Sequence, residues 1–114
     1  MFSEFIFATQ IRLHKDKKSL SLHFSDGFQT QISAELLRVE SPSAEVQGHS
    51  PDQKKIIRGK KNVKIIHIEY VGNYAIRLLF DDGHETGIYS WVLLHDYGVR
   101  QESLYSEYLK KLEL

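Results

Sequence analysis

Leu22-His23-Phe24-Ser25-Asp26-Gly27-Phe28-Gln29-Thr30-Gln31-Ile32 returns later in the chain as Leu78-Leu79-Phe80-Asp81-Asp82-Gly83-His84-Glu85-Thr86-Gly87-Ile88. In each copy apolar and polar residues alternate on both sides of an Asp-Gly pair. A period of two puts the apolar set on one face of a strand. Asp-Gly between two such runs marks a hairpin, because a tight turn between twisted strands needs a positive φ that glycine supplies. Each copy then reaches a serine and an apolar stretch: Ser33 before Leu36-Leu37, Ser90 before Trp91-Val92-Leu93-Leu94. A serine so placed accepts from the first free amides of a helix. The chain therefore repeats a hairpin–helix unit. The helices are expected at Ala34–Arg38 and from Trp91 to about Tyr97, the second stopped by Gly98. The copies differ at two informative places: His84 stands where Phe28 does, and Trp91 where Glu35 does.

Working outward, Ile11 and Leu13 alternate ahead of the first copy. Ahead of the second, Val63 to Val71 forms a long strand. Its even-numbered face (Lys64, Ile66, Ile68, Tyr70) is the apolar one, and Gly72-Asn73 turns the chain back. At the end, Leu104, Tyr105, Tyr108, Leu109 and Leu112 recur at three and four, a helical stripe. Lys110 and Lys111 lie near its end, as the helix dipole favours. The expected fold is α+β: about six mostly antiparallel strands from two pseudo-repeats, with a C-terminal helix on one face.

At 114 residues the chain is one domain, residues 1–114, able to bury roughly two-thirds of its unfolded surface. The absence of cysteine removes disulfides, thiolate metal sites and cysteine nucleophiles, and fits a reducing compartment. Fifteen basic and fifteen acidic residues cancel, so net charge steers toward neither nucleic acid nor an anionic membrane. Phe2 to Ala8 is apolar but short and interrupted by Glu4, not a signal peptide. No run approaches the roughly 18 apolar residues of a membrane span. A cytoplasmic protein is expected. Residues 41–62 show no periodicity and carry both prolines, Pro42 and Pro51. A connector this long in a small domain is functional or mobile. Its Ile56-Ile57 pair suggests a short strand folding back on the sheet.

Several residues could carry chemistry. His67-x-Glu69 shares one strand face, as two ligands of a non-haem iron site would, but no third ligand is apparent; both read better as solvent-facing. His84, past a hairpin tip, and His49, after Gly48, could contribute to a metal site, with zinc or iron to consider, although a structural zinc wants four ligands. Tyr89 and Trp91 could form a ligand or partner surface, against the simpler reading that Trp91 closes the core. Ser90 has no base at a defined spacing and reads as a cap. Lys54, Lys55, Arg58, Lys60 and Lys61 could hold phosphate or a nucleic-acid backbone, but without interleaved aromatics or P-loop glycines.

Two segments resemble a known family. Leu37-Arg38-Val39-Glu40-Ser41-Pro42-Ser43-Ala44-Glu45-Val46-Gln47-Gly48-His49 is similar to a signature of the gamma-butyrobetaine hydroxylase-like N-terminal domain family. So are Val71-Gly72-Asn73-Tyr74-Ala75-Ile76 and Phe80-Asp81-Asp82-Gly83-His84-Glu85-Thr86-Gly87-Ile88-Tyr89-Ser90-Trp91. The resemblance covers about Ile11 to Leu112. It implies a domain found alone, ahead of the catalytic barrel of 2-oxoglutarate dioxygenases, or attached to ATPases of iron–sulfur delivery. In the eukaryotic dioxygenase it implies a zinc on three cysteines and one histidine. His84 matches the histidine, but the cysteine positions fall at about Ser41, Ser43 and Val46, so that site does not transfer intact. If its geometry persists, His49 and His84 lie near each other. The expected function is that of a non-catalytic accessory or interaction module with a protein partner, since the dioxygenase barrel is absent. The alternatives are a small enzyme or ligand binder using the His49, His84 and Trp91 end, and a phosphate or nucleic-acid binder using Lys60 and Lys61.

Overall fold

The computed structural model describes residues 6–113; Phe2–Phe5 of the apolar N-terminal stretch lie outside them. The order is β1 (Ala8–Leu13), β2 (Ser19–Phe24), β3 (Gln29–Ser33), α1 (Ala34–Val39), α2 (Ala44–Gln47), β4 (Ile65–Val71), β5 (Ala75–Phe80), β6 (Ile88–Ser90) and α3 (Trp91–Leu112). The fold is α+β, with six strands. They form two antiparallel three-stranded sheets, β1-β2-β3 and β4-β5-β6. β2 and β5, the first strands of the two sequence copies, are the central strands.

Both copies fold alike. Gly27 (φ 91°) and Gly83 (φ 92°) occupy equivalent turn positions in the left-handed region. Ser33 and Ser90 cap α1 and α3, accepting from the amides of Leu36 and Leu93 at 3.1 Å. Leu20, Leu22 and Phe24 of β2 and Ile76, Leu78 and Phe80 of β5 share one buried core with α1 and α3. Neither sheet could keep its apolar face from water without the other.

Three expectations about the elements need correction. The helix beginning at Trp91 does not stop at Gly98; α3 runs unbroken to Leu112. Gly98 is packed rather than capping. A Cβ there would stand 2.7 Å from Thr30 Cγ2 and 3.0 Å from Phe28 Cε2. The buried stripe Trp91, Leu94, Tyr97, Gly98, Leu104, Tyr108 is one helical face bridging the two predicted helices. The long strand also fails to alternate throughout. Its register slips between Ile65 and His67. Before this bulge Val63 and Ile65 are buried; beyond it Ile68 lies opposite the buried Leu78 and packs on the core. The bulge reverses the inward parity, so the even-numbered face is the core face only after it.

Residues 41–62 contain α2 and a single 3₁₀ turn at Pro51–Gln53. Ile56-Ile57 forms no strand. Ile57 packs on the core, Ile56 is exposed, and the Lys55 amide donates to Val46 O at 2.8 Å.

Candidate functional site

The Asp82-Gly83 turn sets His84. Asp82 Oδ1 accepts the His84 amide at 3.0 Å, and His84 O accepts the Phe80 amide at 3.0 Å. The imidazole points inward, its side chain 3% exposed. Nε2 shares a 2.8 Å hydrogen bond with Ser41 Oγ, and Nδ1 lies 3.4 Å from Glu45 Oε2. Beside it Ser43 Oγ meets Thr86 Oγ1 at 2.7 Å, and Thr86 donates to Glu45 Oε1 at 3.2 Å. This approach needs Gly87, where a Cβ would stand 2.6 Å from Ser41 Oγ. Burial, then the Arg38 charge, pushes the His84 pKa below 6.5, against the opposing pull of Glu45 and Asp82.

Asp82 gathers cations. Its Oδ2 lies 2.8 Å from Arg38 Nε and 2.6 Å from Lys60 Nζ. Burial would raise its pKa, but Lys60, the His84 amide and Arg38 outweigh that and hold the carboxyl well below 3.8. Lys54 Nζ is likewise tied to Glu40, at 2.6 and 2.8 Å from its two carboxylate oxygens, and Arg58 Nη1 donates to Leu112 O at 2.8 Å. Much of the basic connector is thus a set of internal straps, while Lys61 is exposed.

The other sequence-predicted residues lie apart. His49 is exposed, its amide on Gln53 Oε1 at 2.8 Å, in a shallow groove with Gln47, Lys54 and Lys111. It is not among the groups that bond the His84 ring, which are Ser41 and Glu45. Tyr89, expected at a surface, is fully buried and donates to Leu37 O at 2.6 Å, so it is a core residue. His67 is exposed and Glu69 half-buried, and Glu69 binds Arg77. Among the described residues no three His, Asp or Glu side chains are grouped to hold a metal. The positions matched to the zinc cysteines do converge on His84 through Ser41 and Ser43, but they bring hydroxyls that bond the imidazole and Thr86. The residues do not fit the zinc site of the cysteine-bearing branch.

Trp91 sits elsewhere. Its indole is 7% exposed and Nε1 donates to Asn73 O at 2.9 Å. Around it an open groove of about 670 Å³ is lined by Phe7, Tyr70, Tyr74 and Val92 with Ile6 and Ala8. Phe7, Tyr70, Tyr74 and Val92 are 52%, 71%, 57% and 41% exposed. Tyr70 packs edge-on to Trp91, ring centroids 6.4 Å apart. Two of the polar atoms at hand are engaged: Asn73 O by the indole and Ser90 Oγ by the Leu93 amide. Sequence reading missed this groove because β1, the β4–β5 turn and α3 each supply part of it. The one local signal was a pair of aromatics, Tyr70 and Tyr74, astride the Gly72-Asn73 turn.

The model of the gamma-butyrobetaine hydroxylase-like N-terminal domain matches residues 11–95. The chain belongs to this family. A protein solved by NMR in solution is 44% identical over 99% of this chain and 84% of its own, with a TM-score of 0.83. A second NMR structure is 41% identical over 94% of this chain and 84% of its own, TM-score 0.79. A crystal structure of a DUF971-family protein of unknown function from Acidithiobacillus ferrooxidans is 33% identical, covering 76% of this chain and 86% of that one, TM-score 0.63. No curated protein matches the chain. Among the described residues of this gamma-butyrobetaine hydroxylase-like N-terminal domain, no helix is long and apolar enough to cross a membrane.

Proposed function

We propose that this domain is a cytoplasmic, non-catalytic interaction module that takes an apolar segment of a partner polypeptide into the Phe7–Tyr70–Tyr74–Trp91–Val92 groove. One observation carries the reading: the groove gathers large exposed apolar and aromatic side chains around the Trp91 indole. Such a surface gains by covering apolar area. The His84 network supports the same reading, since a buried imidazole held by Ser41 has no open position for a reacting group. An accessory role beside a separately encoded enzyme fits the family resemblance.

The test uses the single tryptophan. Random peptides displayed on phage are panned against the intact chain, and selected peptides are titrated while Trp91 fluorescence and backbone amide shifts are followed. The expected result is enrichment of peptides with two or more large apolar residues. They should shift Trp91 emission, move the amides of Phe7, Tyr70, Tyr74 and Val92, and lose affinity in Tyr74→Asp. Peptides that bind elsewhere, or bind Tyr74→Asp equally well, would overturn the proposal.

A further inference from the structure

β4 ends its sheet, so one side of its backbone lacks a neighbouring strand. At its first residue this side is tied to the other sheet's β1–β2 loop, where the Ile65 amide donates to Lys17 O at 2.9 Å. From Ile66 onward the strand carries exposed side chains: Ile66 is 50% and Tyr70 71% exposed, and the His67 side chain 60%. An edge this long with apolar side chains in water is a template for another strand.

The order of those side chains says which strand fits. Beyond the bulge, and read antiparallel to itself about Ile68, the segment Ile66-His67-Ile68-Glu69-Tyr70 is its own complement. Ile68 falls opposite Ile68, His67 opposite Glu69 and Ile66 opposite Tyr70. The two imidazole–carboxylate pairs place opposite charges together when the imidazole is protonated. His67 and Glu69 lie on the same outer face, opposite Leu79 and Arg77 within the chain, so both pairs form on one side of the joined sheet. Opposite charges and apolar pairs across antiparallel strands stabilise the pairing; like charges oppose it. A slip by one residue would set His67 opposite Ile68 and lose both charge pairs.

We infer that a second copy of this chain pairs antiparallel along β4, two-fold about Ile68, joining two three-stranded sheets into one of six strands. The contact is isologous, each copy presenting the same edge. It meets the aromatic groove at Tyr70, while the His67–Glu69 pairs lie on the other face of the strand.

Sedimentation equilibrium of the full chain over a wide concentration range reads the association. Isotope-filtered NOEs on a mixture of labelled and unlabelled chain read its place. The expected result is a reversible dimer with inter-copy contacts at His67, Ile68 and Glu69. His67→Glu sets like charges at both pairs and should weaken self-association on the order of tenfold, as should Glu69→Lys. Mixed together, these two variants should form a heterodimer, because each then meets an opposite charge. His67→Lys keeps the complementarity and should dimerise; it carries the test if His67→Glu perturbs folding. A chain monomeric at NMR concentrations, a dimer indifferent to both His67→Glu and Glu69→Lys, or contacts away from β4 would overturn the inference. A monomer that still binds apolar peptides at Trp91 would do so while leaving the proposed function standing.

Discussion

His84 and Asp82 are neighbours on one turn but titrate in separate pH windows, which makes the turn testable. The His84 pKa is depressed below 6.5 in the fold, so on acidification the unfolded chain takes up its proton first. Stability contributed there is complete at neutral pH and falls as pH drops below about 6.5. The Asp82 pKa is held well below 3.8, so its contribution is present above that value and is lost only in stronger acid. Urea midpoints measured against pH should show an upper and a lower acid limb. His84→Gln should remove the upper limb and Asp82→Asn flatten the lower. His84→Gln should also cost about 1–3 kcal/mol at neutral pH, by leaving Ser41 short of its buried partner. An upper limb that persists in His84→Gln would show that another group causes it. The sequence marked His84 because it replaced Phe28 in an otherwise repeated unit. Its partners were not legible: Ser41 and Glu45 lie 43 and 39 positions away, and the contact depends on Gly87 having no side chain.

At the scale of elements, short-period signals read well and long-range ones did not. The strands, the two Asp-Gly turns and the serine caps follow from residues within one turn or one hairpin of each other. The end of a helix at a glycine is decided by what packs on it. Gly98 suggested a stop, yet Phe28 and Thr30 pack directly against it. The bulge at Ile66 leaves no residue-type signature, so the reversal of faces along β4 was invisible. Gly98→Ala separates the two readings of that glycine. On helix propensity alone alanine should stabilise α3 by about 1 kcal/mol. Against Thr30 and Phe28 it overpacks, at about 1–3 kcal/mol. The expected net is a loss on the order of 1 kcal/mol in a chemical-denaturation midpoint, with amide shifts moving at Phe28 and Thr30. A gain in stability would return Gly98 to the role of a tolerated weak point in the helix.

The whole molecule turns on a division that is present in sequence and absent in packing. The repeat suggests two units, each with its own hairpin and helix. The structure gives them one core, since Leu20, Leu22, Phe24 and Ile32 cluster with Ile65, Ile76, Leu78 and Phe80. Tyrosine hydroxyls tie them further. Tyr89 and Tyr97 of the second unit donate to Leu37 O and Glu40 O at the end of α1, each at 2.6 Å. These carbonyls belong to the unpaired last turn of a helix and, if left buried without a partner, would each cost about 1–3 kcal/mol. A three-stranded sheet with its apolar face bared has little reason to stay folded. The two units should therefore unfold together. Trp91 fluorescence follows the second unit, and NMR peak intensities of the Leu20, Leu22 and Ile32 amides follow the first. Against urea the two should give the same midpoint, and Tyr89→Phe should shift both by the same amount. A first-unit transition at lower urea than the Trp91 transition would mean that the duplicated halves remain separate folding units held by a weak seam.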